Sequence, residues 1–211
     1  MVADAGGPEP RSGAEFDYDR TVALSDGVFA IALTLLVLTL TLPELQGAAK
    51  HQLANRLSDQ SAQLYSYALS FAVLGLLWVR HHTMFRNVTR IDARVTVLNL
   101  AYLAVVAFLP FPTRLMGSYG DQPVAVVVYA TTITLIVTLG MMMRVYADRA
   151  GLMAPGAPRE ALSRYVVTIS VFLVSIPMAL LVDASAGIWT WTAVPVANLS
   201  GLWRRPKSGP A

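Results

Sequence analysis

The sequence predicts an all-α integral membrane protein with six transmembrane helices, and three observations carry that prediction. Of 211 residues, 55% are hydrophobic and only 14% charged, where a soluble domain carries about 25% charged residues. The apolar residues fall in six long blocks, which gives a mean hydropathy of +0.53. Arginine and lysine then collect at alternate ends of these blocks, the pattern of loops sorted across a bilayer.

Residues 1–19 hold Gly6, Gly7, Pro8, Pro10 and Gly13 beside Asp4, Glu9, Glu15, Asp17 and Asp19. With so little to bury, the stretch reads as a disordered acidic tail, and it lacks the basic start of a signal peptide. The first block, 20–42, is 23 residues long; as a helix it reaches about 34 Å, enough to cross a bilayer core. The others are 64–79, 95–116, 124–145, 161–182 and 188–203. The second and sixth are short for a perpendicular span. They either extend through flanking turns, 58–63 for the second, or tilt less than their neighbours.

Pro110 and Pro112 kink or terminate the third block, and Pro177 and Pro195 lie inside the fifth and sixth. Trp189, Trp191 and Trp203 mark the two ends of the last block as interfacial anchors. The six-helix region is therefore 20–203, followed by a basic tail, 204–211, with Arg204, Arg205 and Lys207. No internal repeat is visible, which argues against a carrier of two inverted halves.

Of the 16 Lys and Arg residues, 13 lie on one side: Arg11, Arg20, Arg80, Arg86, Arg90, Arg94, Arg144, Arg149, Arg159, Arg164, Arg204, Arg205 and Lys207. Lys50, Arg56 and Arg114 lie on the other. The positive-inside rule then puts both termini in the cytoplasm, as an even number of spans requires. The net charge of +3 reads as topology rather than as nucleic-acid binding. With no cysteine there is no disulfide, thiolate metal site or cysteine nucleophile. The chain also lacks a His-x-x-x-His pair, a Gly-x-Ser-x-Gly elbow and a phosphate-cradling glycine loop, so it does not read as an enzyme, and no cofactor or resident metal is expected.

The first block is unusual because Arg20 and Asp26 stand in its first two turns. A charge at mid-bilayer costs on the order of 3 kcal/mol or more, so Ser25 and Asp26 are expected inside the bundle, with partners on other helices. At about 100° per residue, Leu24, Gly27, Ile31, Thr34 and Leu38 share a narrow stripe with Leu35 at its edge, and Ser25, Asp26 and Phe29 face the other way. On periodicity alone, plain helix packing accounts for the stripe, and the Thr34 hydroxyl can simply bond one turn back. Trp78, His81, His82 and Asn99 are the candidate partners of Asp26 on the second and third helices; adjacent histidines point about 100° apart, which argues against a shared metal ion.

These residues resemble a known family. Arg20-x-x-x-Leu24-Ser25-Asp26, followed by Gly-Val-Phe-Ala-Ile-Ala and Thr-Leu-Leu-Val-Leu, is similar to the Arg-x-x-x-Phe-Ser-Asp signature of the transmembrane-protein-175 potassium channels, with Leu24 in place of phenylalanine. Trp78-Val-Arg-His81-His82, Asn99 and Leu-Pro-Phe-Pro-Thr continue the resemblance as far as Gly117, while the last three blocks match in number and length only. The resemblance implies a bacterial plasma-membrane channel, a homotetramer whose first helices line one pore without a carbonyl filter. It further implies a hydrophobic constriction at Ile31 and Leu38, a threonine layer at Thr34 that favours potassium modestly over sodium, and a scaffold of Arg20, Ser25, Asp26, Trp78, His81, His82 and Asn99. Arg20 either faces the inner mouth or turns away to pair. A proton-coupled or proton-conducting transporter that uses Asp26 and His81 or His82 is the rival reading.

Overall fold

Seven α-helices follow one another through residues 13–41, 60–157 and 162–191, the residues that the computed structural model describes. Helix α1 (Gly13–Leu35) begins ahead of the first apolar block, so residues 13–19, expected as part of a disordered tail, are helical. After Leu35 the chain tightens into one turn of 3-10 helix, Leu36–Thr39, before Leu40 becomes extended.

Helix α2 (Ser61–Arg86) is 26 residues long and gains most of its extra length at its C-terminal end, through Arg80 to Arg86. The third block is two helices, α3 (Ala93–Phe108) and α4 (Pro110–Tyr119). Pro110 has no N–H to continue the ladder, so the Val106 carbonyl accepts from the Leu109 N–H instead, at 3.1 Å. The Leu109 carbonyl then accepts from both the Thr113 N–H and the Thr113 hydroxyl, at 3.1 and 3.0 Å. Helices α5 (Pro123–Arg149), α6 (Leu162–Leu181) and α7 (Ala184–Trp191) complete the bundle, with Pro177 inside α6.

Among the described residues, five stretches are long and apolar enough to cross a membrane: Tyr18–Thr39, Ser61–Arg86, Ala93–Tyr119, Pro123–Arg149 and Leu162–Leu181. The chain is an all-α integral membrane protein. Of the sixth block only the beginning falls in α7; Pro195, Trp203 and the basic tail lie outside the described residues, as do residues 1–12 of the acidic tail. Trp191 departs from the expected interfacial anchor. It is fully buried, stacked on Tyr129 with ring centroids 4.8 Å apart and against Phe172 at 5.5 Å, because α7 folds back onto α5 and α6.

The main core runs the length of the bundle and includes Phe29, Leu36, Leu74, Val106, Leu109, Ile133, Ile136 and Phe172. A smaller core of Met84, Phe85, Val88, Val95, Met143, Ala147 and Leu152 closes one end. There the α2–α3 and α5–α6 loops join in a short antiparallel bridge, Val88 to Met153, with Thr89 N–H to Leu152 carbonyl and Ala154 N–H to Asn87 carbonyl both at 2.8 Å. Gly151, at φ +66°, supplies the left-handed turn that aims Leu152 into this core.

Asp92 ties the same end together. Its Oδ1 accepts from the Val95 N–H at 2.8 Å, capping α3, and its Oδ2 accepts from the Tyr146 hydroxyl of α5. The Tyr146 bond, followed by the Val95 bond, holds the Asp92 carboxyl below the usual carboxylate range. A depressed folded-state value stabilises above the unfolded value of about 3.9 and is lost as pH falls through the folded value. Asp92→Ala is therefore expected to lower the unfolding temperature at neutral pH by about 2–4 °C, the effect of losing one helix cap. In a thermal melt series this difference shrinks once the buffer falls below about pH 4.

Candidate pore helix and the polar network behind it

Helix α1 divides into two faces. Ser25, Phe29 and Ala32 are each 1% exposed and Leu36 is fully buried, whereas Leu24 is 49%, Ile31 60% and Leu38 70% exposed. Gly27 and Thr34 are exposed on the same side, and Arg20 is exposed at its N-terminal end. Among the described residues, nothing in the single chain covers the stripe of Leu24, Gly27, Ile31, Thr34 and Leu38. The Thr34 hydroxyl donates to the Ile31 carbonyl at 2.8 Å. Its proton is thus used within the helix, and the oxygen presents lone pairs to the open side.

The opposite face is pinned by two polar contacts. The Ser25 hydroxyl donates to the Thr21 carbonyl at 2.8 Å and accepts from Asn99 Nδ2 of α3 at 3.0 Å. The Asn99 Oδ1 lies 2.8 Å from His81 Nε2 of α2. An amide oxygen only accepts, so this arrangement assigns the proton to Nε2. His81 is buried and boxed by rings: Phe85 at 4.5 Å, Tyr102 at 5.2 Å and Phe29 at 5.5 Å. One turn of aromatic packing and a three-residue hydrogen-bond chain therefore join α1, α2 and α3.

The second contact is Asp26 with Trp78. The indole N–H donates to Asp26 Oδ1 at 2.9 Å, and the half-buried His82 stacks on the indole at 5.4 Å. Of the residues singled out from the sequence, Ser25, Asn99 and His81 meet in one chain, and Asp26, Trp78 and His82 in a second. Arg20 is exposed, at the N-terminal end of the stripe. Among the described residues no group of three His, Asp or Glu side chains could hold a metal ion.

Two further polar contacts were not foreseen. Ser70, Thr113 and Tyr129 form a buried hydroxyl cluster, with Thr113 Oγ1 2.9 Å from Ser70 Oγ and Ser70 Oγ 3.0 Å from the Tyr129 hydroxyl. Lone hydroxyls inside apolar blocks are its only sequence signal, since in lipid they need a partner. At the far end of α1, Gln63 Oε1 accepts from the Thr41 N–H and hydroxyl, both at 3.1 Å.

Fold and site define an all-α membrane protein built around a pinned first helix with one uncovered face. Residues 20–110 match the family model described as TMEM175, endosomal/lysosomal potassium channel TMEM175. A protein of Streptomyces collinus named a potassium channel is 43% identical over 47% of this chain and 48% of its own length. One of Chamaesiphon minutus, also named a potassium channel, is 40% identical over 53% and 56%. The mouse endosomal/lysosomal proton channel TMEM175 is 34% identical over 52% of this chain and 23% of its own. The aligned stretch thus spans about half the length of the bacterial relatives. The crystal structure of the Chamaesiphon minutus homologue of lysosomal potassium-selective TMEM175 superposes with a TM-score of 0.76 at 26% identity, covering 88% of this chain and 97% of that one. That of a variant of the potassium channel MtTMEM175, bound to a nanobody fusion protein, gives 0.59 at 16% identity over 97% and 99%, a likeness of fold. Over residues 20–110 the chain is thus similar to the TMEM175 channels, and over most of its length it shares the fold of the crystallised homologues.

Asn99→Leu is expected to leave the His81 Nε2–H buried without an acceptor, at a cost of about 1–3 kcal/mol. Trp78→Phe, which keeps a ring beside His82 but removes the donor to Asp26, is expected to destabilise in the same direction. Unfolding of the detergent-solubilised protein, followed by size-exclusion fluorescence after heating, checks both; a melt unchanged from the parent in Asn99→Leu contradicts the pinning role.

Proposed function

We propose that this protein is a potassium-selective cation channel in which α1 helices from four copies surround one pore, with potassium modestly favoured over sodium. The observation that carries the reading is the uncovered stripe of α1 on a helix whose other face is pinned. A face of branched apolar side chains with one hydroxyl has no role in the single chain, yet four such faces enclose a narrow passage. Rings of Ile31 and Leu38 then form constrictions that dewet until the helices separate slightly, and a ring of Thr34 oxygens replaces part of an ion's hydration shell. The loosely hydrated ion loses less there, so no carbonyl filter is required. Ser25, Asp26, Trp78, His81, His82 and Asn99 hold the helix in place, and Arg20 stands at the inner mouth.

Relatives named potassium channels in two bacteria support the ion and a plasma-membrane location. The charge asymmetry supports cytoplasmic termini around a six-helix channel unit over 20–203. The naming of the mammalian relatives as proton channels favours a second reading, proton conduction through Asp26 and His81 or His82.

Purified protein in a planar bilayer under a potassium/sodium gradient tests the first. The reversal potential is expected to lie toward the potassium equilibrium potential, and Thr34→Ala to keep conduction while moving it toward zero. A reversal potential unmoved by Thr34→Ala removes threonine from the selectivity role. Current that persists after potassium is replaced by an impermeant cation and follows an imposed pH gradient favours the second reading.

A further inference from the structure

The far end of α1 is held by a clasp that the pinned network does not include. Gln63 Oε1 of α2 takes both the N–H and the hydroxyl of Thr41, at 3.1 Å each. On the other side of Gln63 stands α4 at Gly117, where a Cβ would lie only 3.2 Å from both Cα and Cγ of Gln63. The missing side chain lets α4 press directly on the clasping residue.

Between the clasp and the α-helical body lies the 3-10 turn. It is anchored inward by Leu36, fully buried, and Thr39, 8% exposed, whose hydroxyl donates to the Leu36 carbonyl at 2.7 Å. Leu40 N–H closes the turn on the Val37 carbonyl at 3.2 Å. A 3-10 helix rises about 2.0 Å and turns about 120° per residue, against about 1.5 Å and 100° in an α-helix. Four residues so wound reach about 2 Å further, which is what a segment fixed at both ends requires when its far end is held beyond α-helical reach. By Leu38 the extra winding has turned the side chain about 60° from its place in an unbroken α-helix, so that it stands over Leu35 rather than over Ile31.

We propose that Gln63 is a positioning residue which, with Thr41 and Gly117, stretches the last turn of the pore helix and so sets the direction in which Leu38 meets the conduction path. The proposal rests on the reading of α1 as the pore helix. Loss of the clasp lets the turn relax toward α-helical winding and swings Leu38 toward the line of Ile31. Ile31 lies before the 3-10 turn and keeps its place.

The chain contains no cysteine, so Leu38→Cys or Ile31→Cys introduces one thiol per subunit. Each is made in the parent and in the Gln63→Met background, checked for unchanged elution on size exclusion, and exposed in planar bilayers to a water-soluble trimethylammonium methanethiosulfonate. Gln63→Met is expected to change the rate of current block at Leu38→Cys by about fivefold, the factor that one hydrogen bond corresponds to, and to leave the rate at Ile31→Cys as it was. Gly117→Ala, which pushes Gln63 without removing its amide, is expected to shift the Leu38→Cys rate in the same direction and serves alone if Gln63→Met does not fold. Equal rates at Leu38→Cys in all backgrounds overturn the clasp and leave the pore reading intact. Current untouched by the reagent at both cysteines in the parent background overturns the pore reading, and the clasp's role with it.

Discussion

A carboxylate on a membrane helix has no partner in lipid, and everything around α1 follows from supplying one. Asp26 takes the indole N–H of Trp78, and one residue earlier Ser25 takes the amide of Asn99. Both partners are donors on helices that pack beside α1, and Asn99 is itself held by His81. Because the two contacts leave α1 about 100° apart, no rotation of the helix keeps both. The polar cost therefore fixes which face of α1 is presented outward, at an angle that apolar packing alone would leave adjustable.

The helix is also fixed along its length. Near its N-terminal end the Tyr18 hydroxyl donates to the Phe85 carbonyl at 2.7 Å, joining α1 to the small core under the Val88–Met153 bridge. That bridge and the Asp92–Tyr146 contact tie the α2–α3 connection to α5, so α1 is anchored to a cap made of α2, α3 and α5. At the opposite end Thr41 is held by Gln63. Middle, start and end of α1 thus each have an independent restraint, and one face stays uncovered from Leu24 to Leu38.

Much of this was legible because helical periodicity is a property of residue order. The wheel separates Leu24, Gly27, Ile31, Thr34 and Leu38 from Ser25 and Phe29 as the structure's exposures do. The prolines at 110 and 112 mark the break between α3 and α4 because a missing N–H is a local fact. The 3-10 turn was not legible: Leu36-Val-Leu-Thr39 is apolar in either winding, and what selects the tighter one is the distance to Gln63, set by tertiary packing. Trp191 was misplaced for a similar reason. An indole at the edge of an apolar block looks interfacial until α7 folds back and buries it beside Tyr129. The helical start at Gly13 was hidden by composition, since a stretch rich in glycine, proline and acidic residues reads as a tail.

The separation of the two faces also bears on which ion can take which path. Thr34 presents an oxygen without a titratable proton to the open face, where it can share a cation's coordination but cannot relay a proton by changing charge. Asp26 and His81 stand on the opposite face, and His81 is enclosed by Phe29, Phe85 and Tyr102. A proton passing through them would run between α1, α2 and α3, displaced from the stripe by about the width of a helix, roughly 10 Å. It would have to break the Asn99 bond that keeps α1 in place. On the proposed channel reading, cation passage along the stripe and proton passage behind it would take two separate routes, and the second would weaken the support on which the first depends.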